Sequence, residues 1–142
     1  MLKLKSKKLI AICCAAVLAV ACVVPAFAAS YDTSWSFNSG SNGTCGVYGN
    51  NNGIFYTLNP GTAYLSLTDG DTCAIGEYTV SLYINDSWFG LGTKCGNRSF
   101  YSAPGSYHST SFTAPRSDSR YYFVVLGAGY DRNYEASGTF YQ

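Results

Sequence analysis

The sequence is poor in charge. Lysine, arginine, aspartate and glutamate make up 12% of its 142 residues. Four of the nine basic residues, Lys3, Lys5, Lys7 and Lys8, fall within the first eight positions, so the rest carries five basic against eight acidic side chains, a balance near −3. That leaves no basic stripe, which argues against a nucleic-acid partner. Histidine occurs once, at His108, and no Cys-x-x-Cys spacing is present. Neither a metal nor a cofactor is therefore expected. No G-x-S-x-G elbow surrounds any serine, so a nucleophilic enzyme has no anchor in the sequence. Helical periodicity is missing over any stretch of ten residues, which excludes an α-rich fold. Beyond Val24 no apolar run is long enough to cross a membrane.

A shorter apolar run, Leu9 to Val24, follows the lysine cluster and stops at Pro25. Ala26-Phe27-Ala28 then offers small residues at the two positions a signal peptidase reads. Residues 1–28 are read as an export signal cut after Ala28, and residues 29–142 as one secreted domain. A rival reading takes Leu18-Ala19-Val20-Ala21-Cys22 as a lipobox, with Cys22 anchored to lipid. The leucine expected three positions before the cysteine is replaced there by Ala19.

What the mature part has in plenty is aromatic and turn-forming residues. All thirteen tyrosines and both tryptophans lie in it. Short alternating segments are separated by Gly, Asn and Pro clusters at regular spacing, a pattern that predicts an antiparallel β-sandwich of about nine short strands, immunoglobulin-like or jelly-roll. Inward rows are expected at Tyr31, Thr33, Trp35 and Phe37, at Ala63, Leu65 and Leu67, and at Ala136, Gly138 and Phe140. Ile54 to Leu58 reads as the hairpin partner of Thr44 to Tyr48. Arg120 to Leu126 is the most apolar run and reads as a central strand covered on both faces. Gly76-Glu77-Tyr78-Thr79-Val80 resembles the G-x-Y-x-V stretch of immunoglobulin-like strands, which adds support for the fold class alone.

The stretch with most to say about function is Gly76 to Gly96. Tyr78, Val80, Leu82 and Ile84 alternate with Thr79, Ser81 and Tyr83. Asn85-Asp86 is a turn dipeptide, since both residues tolerate left-handed backbone. A two-residue turn there would pair Leu82 with Phe89 and Val80 with Leu91 on the inner face. Trp88 would stand opposite Tyr83 on the outer face, with Gly90 and Gly92 opposite Ser81 and Thr79, an aromatic wall beside a low polar floor. A three-residue turn would reverse the parity and bury Trp88. Tyr121 and Tyr130, each beside an arginine-containing sheet end, join Tyr83 and Trp88 as candidate ligand-binding aromatics.

Three cysteines remain after export: Cys45, Cys73 and Cys95. An odd number in an oxidising compartment implies one bridge and one leftover thiol. Cys73 with Cys95 is the favoured pairing of the three, because the two bracket the central hairpin. Other chemistry is sparse. His108 with a serine and Asp118 would make a nucleophile–base arrangement, and Glu77 with Glu135 a glycosidase-like carboxylate pair. Asp69-Gly70-Asp71 reads as a turn, with a calcium loop as its alternative. The sum favours a secreted, non-catalytic binding module that recognises a glycan or other cell-surface component through exposed aromatics. A secreted antagonist, either a bacteriocin-like toxin or an enzyme inhibitor, and a structural surface protein are the alternatives.

Overall fold

The computed structural model describes residues 29–39 and 44–142. The export segment, its cleavage site after Ala28, the Cys22 alternative and the turn at 40–43 lie outside the described residues. Among the described residues there is no helix. The described residues form nine strands in two antiparallel sheets, as the alternating pattern predicts. One sheet runs β1 (Ser30–Asn38), β9 (Asn133–Tyr141), β4 (Gly61–Asp69), β7 (Tyr107–Ala114). The other runs β2 (Thr44–Tyr48), β8 (Asp118–Ala128), β5 (Gly76–Ile84), β6 (Thr93–Ser102), and the short β3 (Tyr56–Leu58) also pairs with β8. Among the described residues only β5–β6 makes a hairpin; β2 and β3 share one sheet edge, and every other pair of consecutive strands lies in different sheets. This wrapping is a jelly roll.

The strand faces follow the sequence. Thr33 and Trp35 of β1, Ala63, Leu65 and Leu67 of β4, and Tyr78, Val80, Leu82 and Ile84 of β5 are all buried between the sheets. Aromatic rings fill the middle: Phe123 and Phe140 meet edge-on at 4.8 Å, and Tyr56 and Phe140 at 5.1 Å. Each such buried side chain stabilises the fold by about 1.5–3 kcal/mol relative to exposure, which lets a lightly charged chain of this size hold a core. β8 is central and buried on both faces from Tyr121 to Val125, as its unbroken apolar run implies.

Two pairings differ from expectation. β2 and β3 do not form a hairpin with each other. They lie end to end along one edge of β8, with Val47 opposite Val125 and Tyr56 opposite Tyr121. Close spacing along the chain suggested a hairpin, but β8 presents the longer apolar edge and pairs with both. The second difference is the turn after β5. Ile84 pairs with Thr93, Leu82 with Gly96 and Val80 with Arg98, so residues 85–92 form an eight-residue loop and β6 begins only at Thr93. Phe89 and Leu91 therefore leave the expected core positions and are exposed beyond the end of the sheet.

This register also separates the cysteines. Cys73 precedes the start of β5, whereas Cys95 lies near Leu82 and Tyr83 at its far end. At about 3.3 Å per residue the strand holds them roughly 20 Å apart, well beyond disulfide reach. Both are free thiols, Cys73 buried and Cys95 partly so. The expected Cys73–Cys95 bridge is thus incompatible with the fold. Burial, then the nearby Asp86 carboxylate, pushes the Cys95 thiol above its ordinary value and disfavours its reactive thiolate. Peptide mapping of the unreduced protein should yield no Cys73–Cys95 cross-link, and alkylation after unfolding should label both.

Candidate functional site: an outer-face groove and an aromatic loop

The outward residues of β5 alternate with its core row. Glu77, Thr79, Ser81 and Tyr83 point away from the other sheet, beside Val124, Leu126 and Ala128 of β8. Together they floor a groove of about 390 Å³ on the outer face. Tyr48 of β2 borders it on one side, and Leu91 and Lys94 close it at the Tyr83 end. The Thr79 and Ser99 hydroxyls are 3.0 Å apart across β5 and β6, so the polar surface continues sideways. Tyr83 is half-buried because its ring stacks on Tyr122, with centroids 5.7 Å apart and planes at 22°. Burial, then the neighbouring Tyr83 phenol, pushes Tyr122 up to about 12. Its hydroxyl donates to the Leu91 carbonyl, tying the loop to the sheet. The outer face of β5 carries Glu77, Thr79, Ser81 and Tyr83, with Ser81 and Thr79 paired to Asn97 and Ser99 where Gly90 and Gly92 were expected. Its wall is Leu91 and Lys94 instead of Trp88.

Trp88 and Phe89 occupy the tip of the 85–92 loop, 92% and 85% exposed. The base of that loop is clamped. Asp86 accepts from the Thr93 amide and hydroxyl, both at 2.8 Å, and from Arg116 at 3.0 Å. Asn85 donates its amide to the Arg120 carbonyl, which continues the pairing with β8 where a tight turn was expected. Gly92, with φ of +76°, brings the chain back beside Ile84. The Thr93 hydroxyl, reinforced by the Thr93 amide and Arg116, holds the Asp86 carboxyl below its ordinary value of 3.8. A depressed carboxyl stabilises what it clamps above the ordinary value and loses that effect as pH falls through the folded value. Trp88 fluorescence anisotropy should therefore stay level from pH 8 to 5 and fall only below about pH 4. A change centred near neutral pH would show that Asp86 is not the clamp.

The four candidate aromatics do not form one patch. Tyr121 is fully buried; its hydroxyl donates to the Arg116 carbonyl at 2.6 Å and seals the end of the core. The outward residue is its neighbour Tyr122. Tyr130 is 75% exposed, but it lies in the β8–β9 connection at the opposite end of the sandwich from Trp88. Tyr83 and Trp88 share an end, with Tyr83 at the groove and Trp88 beyond it.

The other pairings change as well. Glu77 and Glu135 sit on the outer faces of different sheets, pointing away from each other, and Glu135 accepts from the Thr72 hydroxyl at 3.1 Å. They form no carboxylate pair. His108 faces inward and meets Asp69 at 2.8 Å, not Asp118. The buried Asp69 carboxylate also accepts from the Tyr78 hydroxyl at 3.0 Å and the Ala103 amide at 3.1 Å. Burial, then the charge of Asp69, pushes the Tyr78 phenol well above its ordinary value. Asp69 is thus a core anchor joining β4, β5 and β7, which accounts for its carboxylate without a calcium loop. Inward parity was the available signal: Asp69 continues the row Ala63, Leu65, Leu67, and His108 shares a face with Phe112.

No known protein family and no curated protein matches this chain. Among solved structures it is similar to a chain from work describing Bacillus endospore appendages as a novel family of disulfide-linked pili. The two share 14% identity over 80% of this chain and 86% of that one, with a TM-score of 0.43.

Proposed function

We propose that the protein is an exported, non-catalytic binding domain whose ligand is a glycan held on the outer face of the β2-β8-β5-β6 sheet. The observation that carries this reading is the groove of about 390 Å³. It combines the two chemistries that sugar recognition uses: flat aromatic rings at Tyr48 and Tyr83, and small hydroxyls at Thr79 and Ser81. Aromatic faces cover the apolar face of a sugar ring, and hydroxyl side chains exchange hydrogen bonds with its hydroxyls. Neither needs net charge, which fits residues 29–142, where five basic side chains meet eight acidic ones. Glu77 and Lys94 sit at opposite ends of the groove and can each serve a hydroxyl.

Retention on insoluble polysaccharides and on a printed glycan array tests the reading. Tyr83→Ala should weaken binding about tenfold, equivalent to about 1.4 kcal/mol. Because Tyr83 also supports Tyr122, Thr79→Arg serves as a second variant that fills the groove from an outward position. Wild-type protein retained by no glycan, or glycan binding untouched in both variants, would sink the proposal. Concentration-dependent self-association without any glycan would favour a structural surface role instead.

A further inference from the structure

The groove extends along β5, and its direction is informative. Its floor follows β5 from Glu77 to Tyr83, and β8 antiparallel to it, with Thr79 opposite Leu126 and Ser81 opposite Val124. At about 3.3 Å per residue that row runs roughly 20 Å, several times the width of one sugar ring. Hydroxyls and apolar positions repeat along it with the two-residue period of the strand. A single sugar would fill one part of such a floor and leave the rest wet. A linear chain would meet the same kind of contact again and again.

The groove also points somewhere. Its Tyr83 end is bounded by Leu91, which belongs to the 85–92 loop, and three residues earlier in that loop stands Trp88. Two large aromatics at 92% and 85% exposure are costly to leave in water unless something covers them. They are also presented from a fixed base. The Asp86–Thr93 bonds, the Asp86–Arg116 ion pair and the Tyr122–Leu91 bond immobilise both ends of the loop. A ligand that meets the tip therefore spends little on ordering it.

We propose that the ligand is a linear oligosaccharide or polysaccharide laid along β5, and that Trp88 and Phe89 form a separate distal subsite engaged only by chains long enough to overrun the Tyr83 end. This deepens the glycan reading and rests on it. The distal subsite determines specificity for chain length, and the groove provides the primary contact. Two tethered contacts act with a high effective concentration, so affinity gains once a single chain spans both.

Calorimetric titration with linear oligomers of glucose, N-acetylglucosamine and xylose, from two to eight units, is the test. Wild-type affinity should rise at least tenfold between the dimer and the longest oligomer of the series that binds. The Trp88→Ala, Phe89→Ala double variant should bind the dimer as the wild type does and lose most of that rise. Both side chains are solvent-exposed, so their removal leaves the core intact, and an unchanged melting temperature would document this. Wild-type affinity independent of length, or a double variant weakened equally toward short and long oligomers, overturns the distal subsite while the groove reading survives. The groove reading itself is tested by Thr79→Arg, which should abolish binding at every length. A wild type that binds no oligomer of any series overturns both.

Discussion

Asp69→Ala is expected to lower the unfolding free energy by about 3–5 kcal/mol, measured by denaturant titration. The buried carboxylate accepts from the Tyr78 hydroxyl and the Ala103 amide and contacts His108 Nε2 at 2.8 Å. Alanine would leave the two donors buried without an acceptor and take away the imidazole's partner. Each buried donor left unsatisfied costs about 1–3 kcal/mol. The loss would be a large part of the 5–15 kcal/mol that holds a typical domain. His108→Ala should cost less, because the imidazole is partly solvated and Asp69 keeps its other two donors. A cycle of the two single variants and the double should show a coupling above 1 kcal/mol. Purely additive effects would mean that the imidazole and the carboxylate do not act as a unit.

The same cluster shows what the sequence could and could not convey. Period-two alternation located the inward faces of β1, β4, β5 and β9, because one face of each meets the core and the other meets water. Asp69 and His108 lie 39 positions apart, and nothing local links them; only their shared inward parity marks them as partners. β8 failed in a different way. Tyr121, Tyr122 and Phe123 are all buried, so its apolar run has no alternation, and nothing in the run tells that Tyr121 faces the core and Tyr122 the outer face. The strand was legible and its parity was not.

Register was the remaining difficulty. Asn85-Asp86 has the chemistry of a tight turn, and local chemistry is the only guide when the partner strand is unknown. Two features compete with it. Gly90 and Gly92 both adopt positive φ, and the Asp86 carboxylate binds Thr93. Asp86 thus closes a long loop where it resembled half of a short one. That one difference expels Phe89 and Leu91 from the core, moves Cys95 to the far end of β5, and turns Trp88 from a groove wall into a free tip.

Gly92→Ala should therefore affect the loop far more than the sandwich. At φ of +76° an alanine already pays about 1–2 kcal/mol. A Cβ built at this position would also lie 2.1 Å from the Ile84 carbonyl oxygen and 3.0 Å from Asp86 Oδ1. Ile84 is fixed in the core between Thr93 and Tyr121, so it cannot yield. The loop must give way instead, and the cost is capped by the bonds lost on its release: the two from Thr93, the ion pair with Arg116 and the bond from Tyr122 to the Leu91 carbonyl. Expected results are a melting temperature lower by several degrees, with an otherwise cooperative transition, and a marked fall in Trp88 anisotropy at neutral pH. If the distal subsite needs a fixed tip, long oligosaccharides should lose most of the affinity they gain over short ones, although Trp88 and Phe89 are still present. Full retention of that gain in Gly92→Ala would mean that a mobile tip serves as well as a clamped one, and that the clamp's role is confined to ending the β5–β6 pairing.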